Sequence, residues 1–157
     1  MPIHITQAGP SDAPLIAGLV GELLQEIMAA IGAEAFGFSQ AETEARARGW
    51  LTDGIYTVLL ARDGEATLGF LALVESRALY AEGSFGTIPE LYVRPAFRSR
   101  QVGAMLMAEA KRLARSRGWT RLEVTTPPLP QFERTLAFYE REGFGISGGR
   151  KMKADLS

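Results

Sequence analysis

The amino-acid sequence predicts an α/β (α+β) fold, in which a mixed, mostly antiparallel central sheet of about six to seven strands is flanked by about four helices. Two apolar, β-rich runs, residues 56–61 and 68–74, are separated by a segment containing Asp63-Gly64, a dipeptide favoured in tight hairpin turns. These two runs should therefore pair antiparallel. A later succession of strand, helix and strand, over residues 85–126, implies a parallel pair in the same sheet.

The first part of the chain is predicted to form one strand and two helices. Residues 3–7 alternate apolar and polar side chains, as a short strand does. Ser11 or Asp12 can cap a helix whose apolar positions recur at helical spacing until Gly32, a residue suited to end it. Residues 39–42, Ser-Gln-Ala-Glu, have the spacing of a capping box, which predicts the start of a second helix.

The second part of the chain continues the sheet and adds a long helix. Residues 85–93 form a predicted strand, and after Pro95 the apolar positions recur at helical spacing to about Arg117. Gly118 is suited to end this helix, because glycine adopts the left-handed conformation without strain. Residues 121–126 are the next predicted strand, parallel to the one before the helix.

A stiff connector and a last helix complete the predicted fold. Proline fixes φ and has no N–H to donate to a sheet, so a cluster of prolines should separate the last strand from the last helix. The prolines of this connector are Pro127, Pro128 and Pro130. Residues 131–141 should form the helix, with Gly143 after it, and residues 148–156 should close the sheet as a short strand.

Composition limits the classes of protein to consider. The 157 residues, 46% hydrophobic and 22% charged, predict one soluble globular domain over residues 1–157. A formal net charge of −1 excludes the strongly basic surface of a nucleic-acid-binding domain. With no cysteine and only His4, we expect no metal centre and interpret His4 as structural. We find no signal-peptide pattern and no apolar run long enough for a bilayer, so we expect a cytoplasmic protein without a membrane partner.

The start of the long helix is a candidate anion site. Arg98 and Arg100 precede Gly103 and Ala104, two small residues that let a ligand approach the backbone closely. The first N–H groups of a helix have no intrahelical acceptor and lie at the positive end of its dipole. Solvated surface arginines are the simpler alternative. We favour an anion site because the helix dipole disfavours cations at this end.

Two sequence blocks resemble the GNAT superfamily of N-acetyltransferases, whose coenzyme loop has the pattern Q/R-x-x-G-x-G/A after Val-x-Pro. This chain has Val93-Arg94-Pro95, then Arg98-Ser99-Arg100-Gln101-Val102-Gly103, and later the block Phe138-Tyr139-Glu140-Arg141-Glu142-Gly143-Phe144. The resemblance implies a GNAT-like fold and acetyl-CoA as co-substrate. It implies coenzyme contacts from Leu91, Tyr92, Val93, Arg98, Ser99, Arg100, Gln101, Val102, Gly103, Ala104, Phe138 and Arg141.

The chain departs from the family pattern at two positions. Gln101 replaces the first glycine of the loop, and Phe132 stands where many relatives carry asparagine at the start of the late helix. The resemblance also implies that residues 91–93 splay from the next strand, so that free backbone groups hold the pantetheine arm and polarise the acetyl carbonyl. We expect Gln101 to change how the pyrophosphate is held, and Phe132 to change how the thiol end of the coenzyme is held.

The resemblance implies two candidate catalytic residues. Tyr139 is the candidate acid for the departing thiolate, because a phenol is a neutral proton donor at pH 7. The alternative is a core aromatic beside Phe138 and Phe144. Glu90 is the candidate base for the ammonium proton, directly or through water, although a solvated edge glutamate is equally consistent with its position. An amine that arrives neutral from solvent would need no such base.

The acceptor and the assembly are less determined. The first two helices and residues 33–38 should form the acceptor side, where Phe36, Phe38 and Trp50 line a pocket or belong to the core. Glu22, Glu26 and Glu82 are either solvated or attract a cationic amine. We expect transfer to a primary amine of a small molecule or protein, and the family suggests a homodimer. The alternatives are a catalytically silent acyl-CoA sensor or partner-binding module, and a nucleotide-binding protein, which the lack of a P-loop pattern disfavours.

Overall fold

A computed structural model describes residues 2–127 and 131–156, and it contains six strands and four α-helices in these ranges. The strands are β1 (His4–Gln7), β2 (Thr57–Asp63), β3 (Ala66–Ala78), β4 (Gly83–Ile88), β5 (Leu91–Val93) and β6 (Leu122–Val124). The helices are α1 (Ala13–Ile31), α2 (Gln40–Asp53), α3 (Val102–Ser116) and α4 (Glu133–Arg141). The mixed, mostly antiparallel α/β architecture is as the sequence predicts.

The six strands form one sheet in the order β1-β2-β3-β4-β6. β5 lies off this path and pairs with residues 69–71 of β3, whereas β4 pairs with residues 74–78. Four pairings are antiparallel, β1 with β2, β2 with β3, β3 with β4 and β3 with β5. β4 and β6 are parallel, because α3 carries the chain across one face of the sheet between them. The predicted hairpin and the predicted parallel pair are both confirmed.

One predicted strand, residues 85–93, is interrupted in the structure. Pro89 and Glu90 separate β4 from β5, and the partners on β3 shift by one residue across this break. The Ala72 amide still donates to the Glu90 carbonyl oxygen at 2.9 Å, so β3 holds the chain through the break. The prediction of one continuous strand is wrong in this detail, because Pro89 has no N–H for a sheet hydrogen bond.

β6 stops pairing with the sheet next to the break between β4 and β5. Its pairing with β4 ends at Ile88 and Val124, before β5 begins. Pro127, three residues further on, cannot donate a hydrogen bond, and this favours an end to the ladder. In the described residues β5 therefore pairs with β3 alone, and its other edge is open. Pro128 and Pro130 of the predicted connector lie outside the described residues.

Helices cover both faces of the sheet over separate apolar cores. α1 and α2 cover one face, where Leu19, Val58, Leu60 and Phe70 belong to the same buried cluster. α3 and α4 cover the other face. The second cluster there contains Leu68, Leu71, Leu106, Met107 and Tyr139. Because alternate residues of a strand face opposite sides, neighbouring positions of β3 contribute to different cores.

Most local signals for helix ends are confirmed, but Asp12, at the N-cap of α1, makes no capping hydrogen bond to that helix and accepts from the Gly9 amide instead. The Ser39 hydroxyl accepts from the Glu42 amide at the start of α2, and Gly32 and Gly118 follow α1 and α3 in the left-handed conformation, with φ of 70° and 75°. The helical spacing after Pro95 predicts that residues 98–103 open α3, and this start is four residues too early. A short 3-10 turn, Pro95–Phe97, and a loop come first, and the α-helix begins at Val102.

The predicted strand over residues 148–156 is absent from the structure. This segment has no regular secondary structure, and Met152 and Leu156 are exposed. Three of its side chains, Arg150, Lys151 and Lys153, are cationic. Met152, Ala154 and Leu156 do alternate with polar residues, which explains the prediction, but all three are exposed and no described strand pairs with this segment.

The N-terminal helical segment has a long apolar stretch. Pro10–Ile31 is long and apolar enough to cross a membrane by length and composition alone, so the expectation that no such run exists is wrong. In the structure Ala13, Ile16 and Leu19 of this segment are buried against the sheet. Its carboxylates Glu22 and Glu26 form ion pairs with arginines that follow β5.

Candidate active site

The N-terminus of α3 presents free backbone N–H groups. The first helical hydrogen bond runs from the Met105 amide to the Gln101 carbonyl oxygen at 3.1 Å. The amides of residues 101–104 have no acceptor among the residues that the structure describes. Such amides lie at the positive end of the helix dipole and can bind an anion without any basic side chain.

Gln101 adopts the left-handed conformation, with φ of 62° and ψ of 21°. It is one of two non-glycine residues with positive φ in the described part of the chain, the other being Glu82. A side chain in this conformation costs about 1–2 kcal/mol because Cβ approaches the following carbonyl oxygen. This backbone geometry explains why a glycine suits the same position of the loop pattern. Gln101 preserves the turn at an energetic cost.

The two arginines of the loop are ion-paired in the structure. Arg98 donates from Nη2 to both carboxylate oxygens of Glu26, at 2.7 and 2.9 Å, and from Nε to the Val93 carbonyl oxygen at 2.8 Å. Arg100 donates to Asp63 at 2.8 Å. Their charge is therefore partly compensated by α1 and by the β2–β3 turn. Direct contact of these guanidinium groups with a phosphate stays a prediction.

The two sequence blocks meet in space. An ideal Cβ built on Gly103 would lie 3.2 Å from the Phe138 ring, so α4 packs against the first turn of α3. Tyr139 follows, with its ring in edge-to-face contact with Phe138 and Phe144, at centroid distances of 5.5 and 5.7 Å. The absence of a side chain at Gly103 is what allows this close approach.

Tyr139 is buried, with 6% of its surface exposed, and it belongs to the core beneath α3. Burial alone raises its pKa to about 12, because the phenolate would lose its hydration there. Tyr139 is therefore a neutral proton donor throughout the physiological range. The ring is a core aromatic, and its hydroxyl is protonated. The position of Tyr139 is therefore compatible both with a packing role and with the proposed role as acid.

The open edge of β5 presents backbone groups that do not bond to β3, and of these the Val93 carbonyl oxygen accepts from Arg98 Nε at 2.8 Å. Ala72 and Leu68 of β3 exchange hydrogen bonds with Glu90 and Arg94, the residues on either side of β5. Hydrogen-bonded positions alternate along an antiparallel pair, so the N–H and C=O groups of Leu91 and Val93 point away from β3. They face the gap left by β6. The splayed strand expected from the resemblance is therefore present.

Glu90 lies in the break between β4 and β5, with its side chain on the α1–α2 face of the sheet. The Tyr56 hydroxyl donates a hydrogen bond to Glu90 Oε1. Burial raises the pKa of Glu90, and the Tyr56 hydrogen bond acts against that shift. Burial also raises the pKa of Tyr56, so that it remains the donor. Glu90 is thus neither a solvated edge residue nor an unpartnered one.

Tyr139 and Glu90 lie on opposite faces of the sheet. Tyr139 belongs to the cluster under α3 and α4, whereas Tyr56, the partner of Glu90, packs against the cluster under α1 and α2. β5 and β6, which lie between these two groups, do not pair with each other. This arrangement places a proton donor on the side of the free α3 amides and a carboxylate on the other side.

The region expected to hold the acceptor contains a cavity of about 550 Å³. Phe36 and Phe38 line it together with Met28 of α1, and both phenylalanines are partly exposed. Trp50 does not line this cavity but packs on Tyr56, with ring centroids 5.2 Å apart. The expected aromatic trio is therefore divided between a cavity wall and a packing contact.

Two of the three acidic candidates for amine binding, Glu22 and Glu26, form ion pairs with arginines. Glu22 accepts from Arg94, at 3.1 and 2.9 Å, and from the Tyr92 hydroxyl at 3.2 Å. Glu26 is held by Arg98. Glu82 lies in the turn before β4, in the left-handed conformation. Glu22 and Glu26 therefore tie α1 to the segment that follows β5.

The remaining candidates are exposed, and partners distant in sequence complete the surroundings of Glu90. Arg141 is exposed near the end of α4, and Ser99 is exposed in the loop before α3. Tyr56 was not a candidate, since it lies 34 residues from Glu90 and no local pattern connects them. Among the described residues, no three His, Cys, Asp or Glu side chains lie together as a metal site requires.

Comparison with known proteins gives one family and many similar folds. The acetyltransferase (GNAT) family model matches residues 24–144. No curated protein sequence matches the chain. An aminoglycoside acetyltransferase from an uncultured soil metagenomic sample is 22% identical, with a TM-score of 0.77 and 100% of each chain covered.

Two further solved structures share the fold at lower sequence identity. The ribosomal-protein-alanine N-acetyltransferase of Brucella melitensis biovar Abortus 2308 is 19% identical, has a TM-score of 0.75, and covers 99% of this chain and 100% of its own. A predicted acetyltransferase from Clostridium acetobutylicum, solved with acetyl-CoA, is 13% identical, has a TM-score of 0.81, and covers 98% and 96%. At these identities the likeness extends to the fold alone.

Proposed function

Because this chain belongs to the acetyltransferase (GNAT) family, we propose that it transfers the acetyl group of acetyl-CoA to a primary amine by direct attack in a ternary complex. The family supports acetyl transfer in general. The co-substrate, the amine and the direct route are our proposal. We infer that the acceptor is a small molecule or a protein amine, and that the enzyme acts in the cytoplasm as a homodimer.

The observation that carries this proposal is the meeting of free α3 amides with the open edge of β5. The amides of residues 101–104 lack acceptors in the described structure, and Gly103 presents no side chain there. A pyrophosphate fits such a group of donors, and an extended pantetheine arm fits an unpaired strand edge. Both features belong to adjacent elements, as one long coenzyme requires.

The chemistry assigned to the chain follows from where charge develops. Attack by a neutral amine on the thioester builds negative charge on the carbonyl oxygen, and a free β5 amide can donate a hydrogen bond to it. Glu90 accepts the proton of the amine, directly or through water. Tyr139 donates a proton to the departing thiolate, and its raised pKa keeps that proton available.

A panel of primary amines, assayed for thiol release from acetyl-CoA, tests the function. We expect at least one amine to give saturable thiol release that disappears when acetyl-CoA is replaced by CoA. Acetyl-CoA binding without turnover for any amine would contradict the enzyme and favour the silent sensor. Binding of ATP with equal affinity would instead favour a general nucleotide site, since selective native-state binding is measurable as thermal stabilisation.

A further inference from the structure

Tyr56 is held in place by two elements before it reaches Glu90. It directly precedes β2, and its ring packs at a tilt on Trp50 of α2, with centroids 5.2 Å apart. The ring also borders the apolar cluster under α1 and α2. Its hydroxyl donates to Oε1 of Glu90, 34 residues later in the chain. The position of the Tyr56 hydroxyl, and with it of Oε1, is therefore fixed by packing.

The second carboxylate oxygen of Glu90 has a different environment. Oε2 has no hydrogen-bond partner among the described residues, and Tyr56 contacts only Oε1. Oε2 is also absent from the fully buried polar atoms without a partner in this part of the chain, where Arg62 Nε is the case found. Tyr56 thus holds one carboxylate oxygen of Glu90, and the other has no hydrogen-bond partner among the described residues.

We propose that Tyr56 is a positioning residue for acetyl transfer, whose hydroxyl holds Oε1 of Glu90 so that Oε2 faces the incoming amine. This inference rests on the proposed function, because it takes Glu90 as the group that accepts the ammonium proton. A proton acceptor must lie within hydrogen-bond reach of its donor in the productive complex. A carboxylate fixed at one oxygen satisfies this demand with little loss of side-chain entropy.

The hydrogen bond has an electrostatic consequence as well as a geometric one. Burial raises the pKa of Glu90, whereas a donor to the ionised carboxylate lowers it. Of the other elements near this pair, α2 contributes the uncharged Trp50, and the Glu22 carboxylate of α1 is bound by Arg94 and Tyr92. Tyr56 thus keeps Glu90 ionised, and able to accept a proton, at lower pH than burial alone would allow.

The test is the pH dependence of kcat/KM for the amine in Tyr56→Phe. The acid limb of this profile reports the essential base of the free enzyme. Loss of the hydrogen bond should move that limb upward by about one pH unit, with most of the rate recovered above it. The matched control is Thr57→Val, which removes a neighbouring buried hydroxyl bound to Arg117 and should leave the limb in place. A limb unchanged in Tyr56→Phe, or moved equally in Thr57→Val, would overturn the inference.

Glu90→Gln separates this inference from the proposed function. If Glu90→Gln loses the rate and the acid limb while Tyr56→Phe moves nothing, the role of Tyr56 alone is wrong. If Glu90→Gln keeps both, Glu90 is not the base and the inference fails with it. Should Tyr56→Phe not fold, Glu90→Asp withdraws the carboxylate from Tyr56 by one methylene. It should lower kcat with an unchanged KM for acetyl-CoA, and an unchanged kcat would contradict the inference.

Discussion

Tyr139 and Glu90 show how burial sets protonation at single residues. Both side chains are removed from water, and burial raises the pKa of each. For Tyr139 this keeps the proton on a donor. For Glu90 it works against the ionised form that a base needs, and the Tyr56 hydroxyl is the partner that favours ionisation. The same physical effect thus supports one proposed role and must be offset for the other.

Tyr139→Phe should lower kcat by about 100-fold or more, since general acid catalysis typically contributes this much. The affinity for acetyl-CoA and the melting temperature should change little, because the Tyr139 hydroxyl has no hydrogen-bond partner in the described part of the chain and only burial shifts its pKa. Steady-state kinetics under conditions where chemistry limits the rate measure this. Tyr80→Phe, at an exposed tyrosine, is the control and should keep full kcat. Full kcat in Tyr139→Phe would remove it from the mechanism.

Glu90→Gln should raise the melting temperature at pH 7 to 8. A carboxyl whose pKa is raised in the folded state contributes stability below its unfolded pKa and loses it as pH rises through the folded pKa. Glutamine avoids this loss, so the gain should shrink towards pH 4. Glu109→Gln is the control. It should lower the melting temperature at pH 7 to 8, because the hydrogen bond from Arg112 lowers the pKa of Glu109. A lower melting temperature for Glu90→Gln at pH 8 would contradict the assigned burial effect.

Gln101→Gly should increase the free energy of unfolding by about 1 kcal/mol, because it relieves the left-handed strain. It should also tighten acetyl-CoA binding, since the loop amides can then adjust to the pyrophosphate. Glu82→Gly, at the other strained position, should give a similar stability gain without any change in affinity. Urea unfolding and calorimetric titration measure the two effects. An affinity gain shared by both variants would argue against a role for the loop.

At the scale of elements, the meeting of β3 with β5 depends on one small residue. A Cβ on Gly69 would lie 2.4 Å from the Tyr92 carbonyl oxygen and 3.0 Å from the Val93 Cα. These are backbone atoms that cannot turn aside as a side chain can. Gly69 therefore sets how closely β5, with its open edge, approaches the sheet.

Gly69→Ala should lower the free energy of unfolding by about 2 kcal/mol, because β3 and β5 must separate to admit the methyl group. Acetyl-CoA affinity should fall as well, since the open edge of β5 moves. Gly49→Ala in α2, where a Cβ meets nothing within 4 Å, should instead stabilise the helix. Urea unfolding compares the two variants. Equal stability of Gly69→Ala and the parent protein would contradict the close approach.

Elements with local signals were predictable from the sequence, and their mutual contacts were not. The Ser39 cap and the Asp63-Gly64 turn depend on neighbouring residues, so the pattern sufficed for both. The break at Pro89 required knowledge of which strand lies beside it. The pairs Arg98 with Glu26 and Tyr56 with Glu90 join residues 72 and 34 positions apart, and no sequence period reports such contacts.

At the scale of the whole molecule, the groups of the proposed site lie on two faces of the sheet. α3 and α4 lie on the side of the free amides and Tyr139, and α1 and α2 lie on the side of Glu90 and the cavity lined by Phe36. Ion pairs from α1 to Arg94 and Arg98 tie the second side to the end of β5. β5 and β6 do not pair, and the proposed direct transfer would take place at the gap between them.

The central claim is that acetyl-CoA docks its phosphates on the amides that open α3, and amide NMR tests it most directly. Titration of the 15N-labelled protein with acetyl-CoA should shift the amide signals of residues 101–104 downfield and saturably, as new hydrogen bonds to phosphate form. Dephosphorylated pantetheine should leave them in place. Saturable binding of acetyl-CoA with these four signals unmoved would contradict the account.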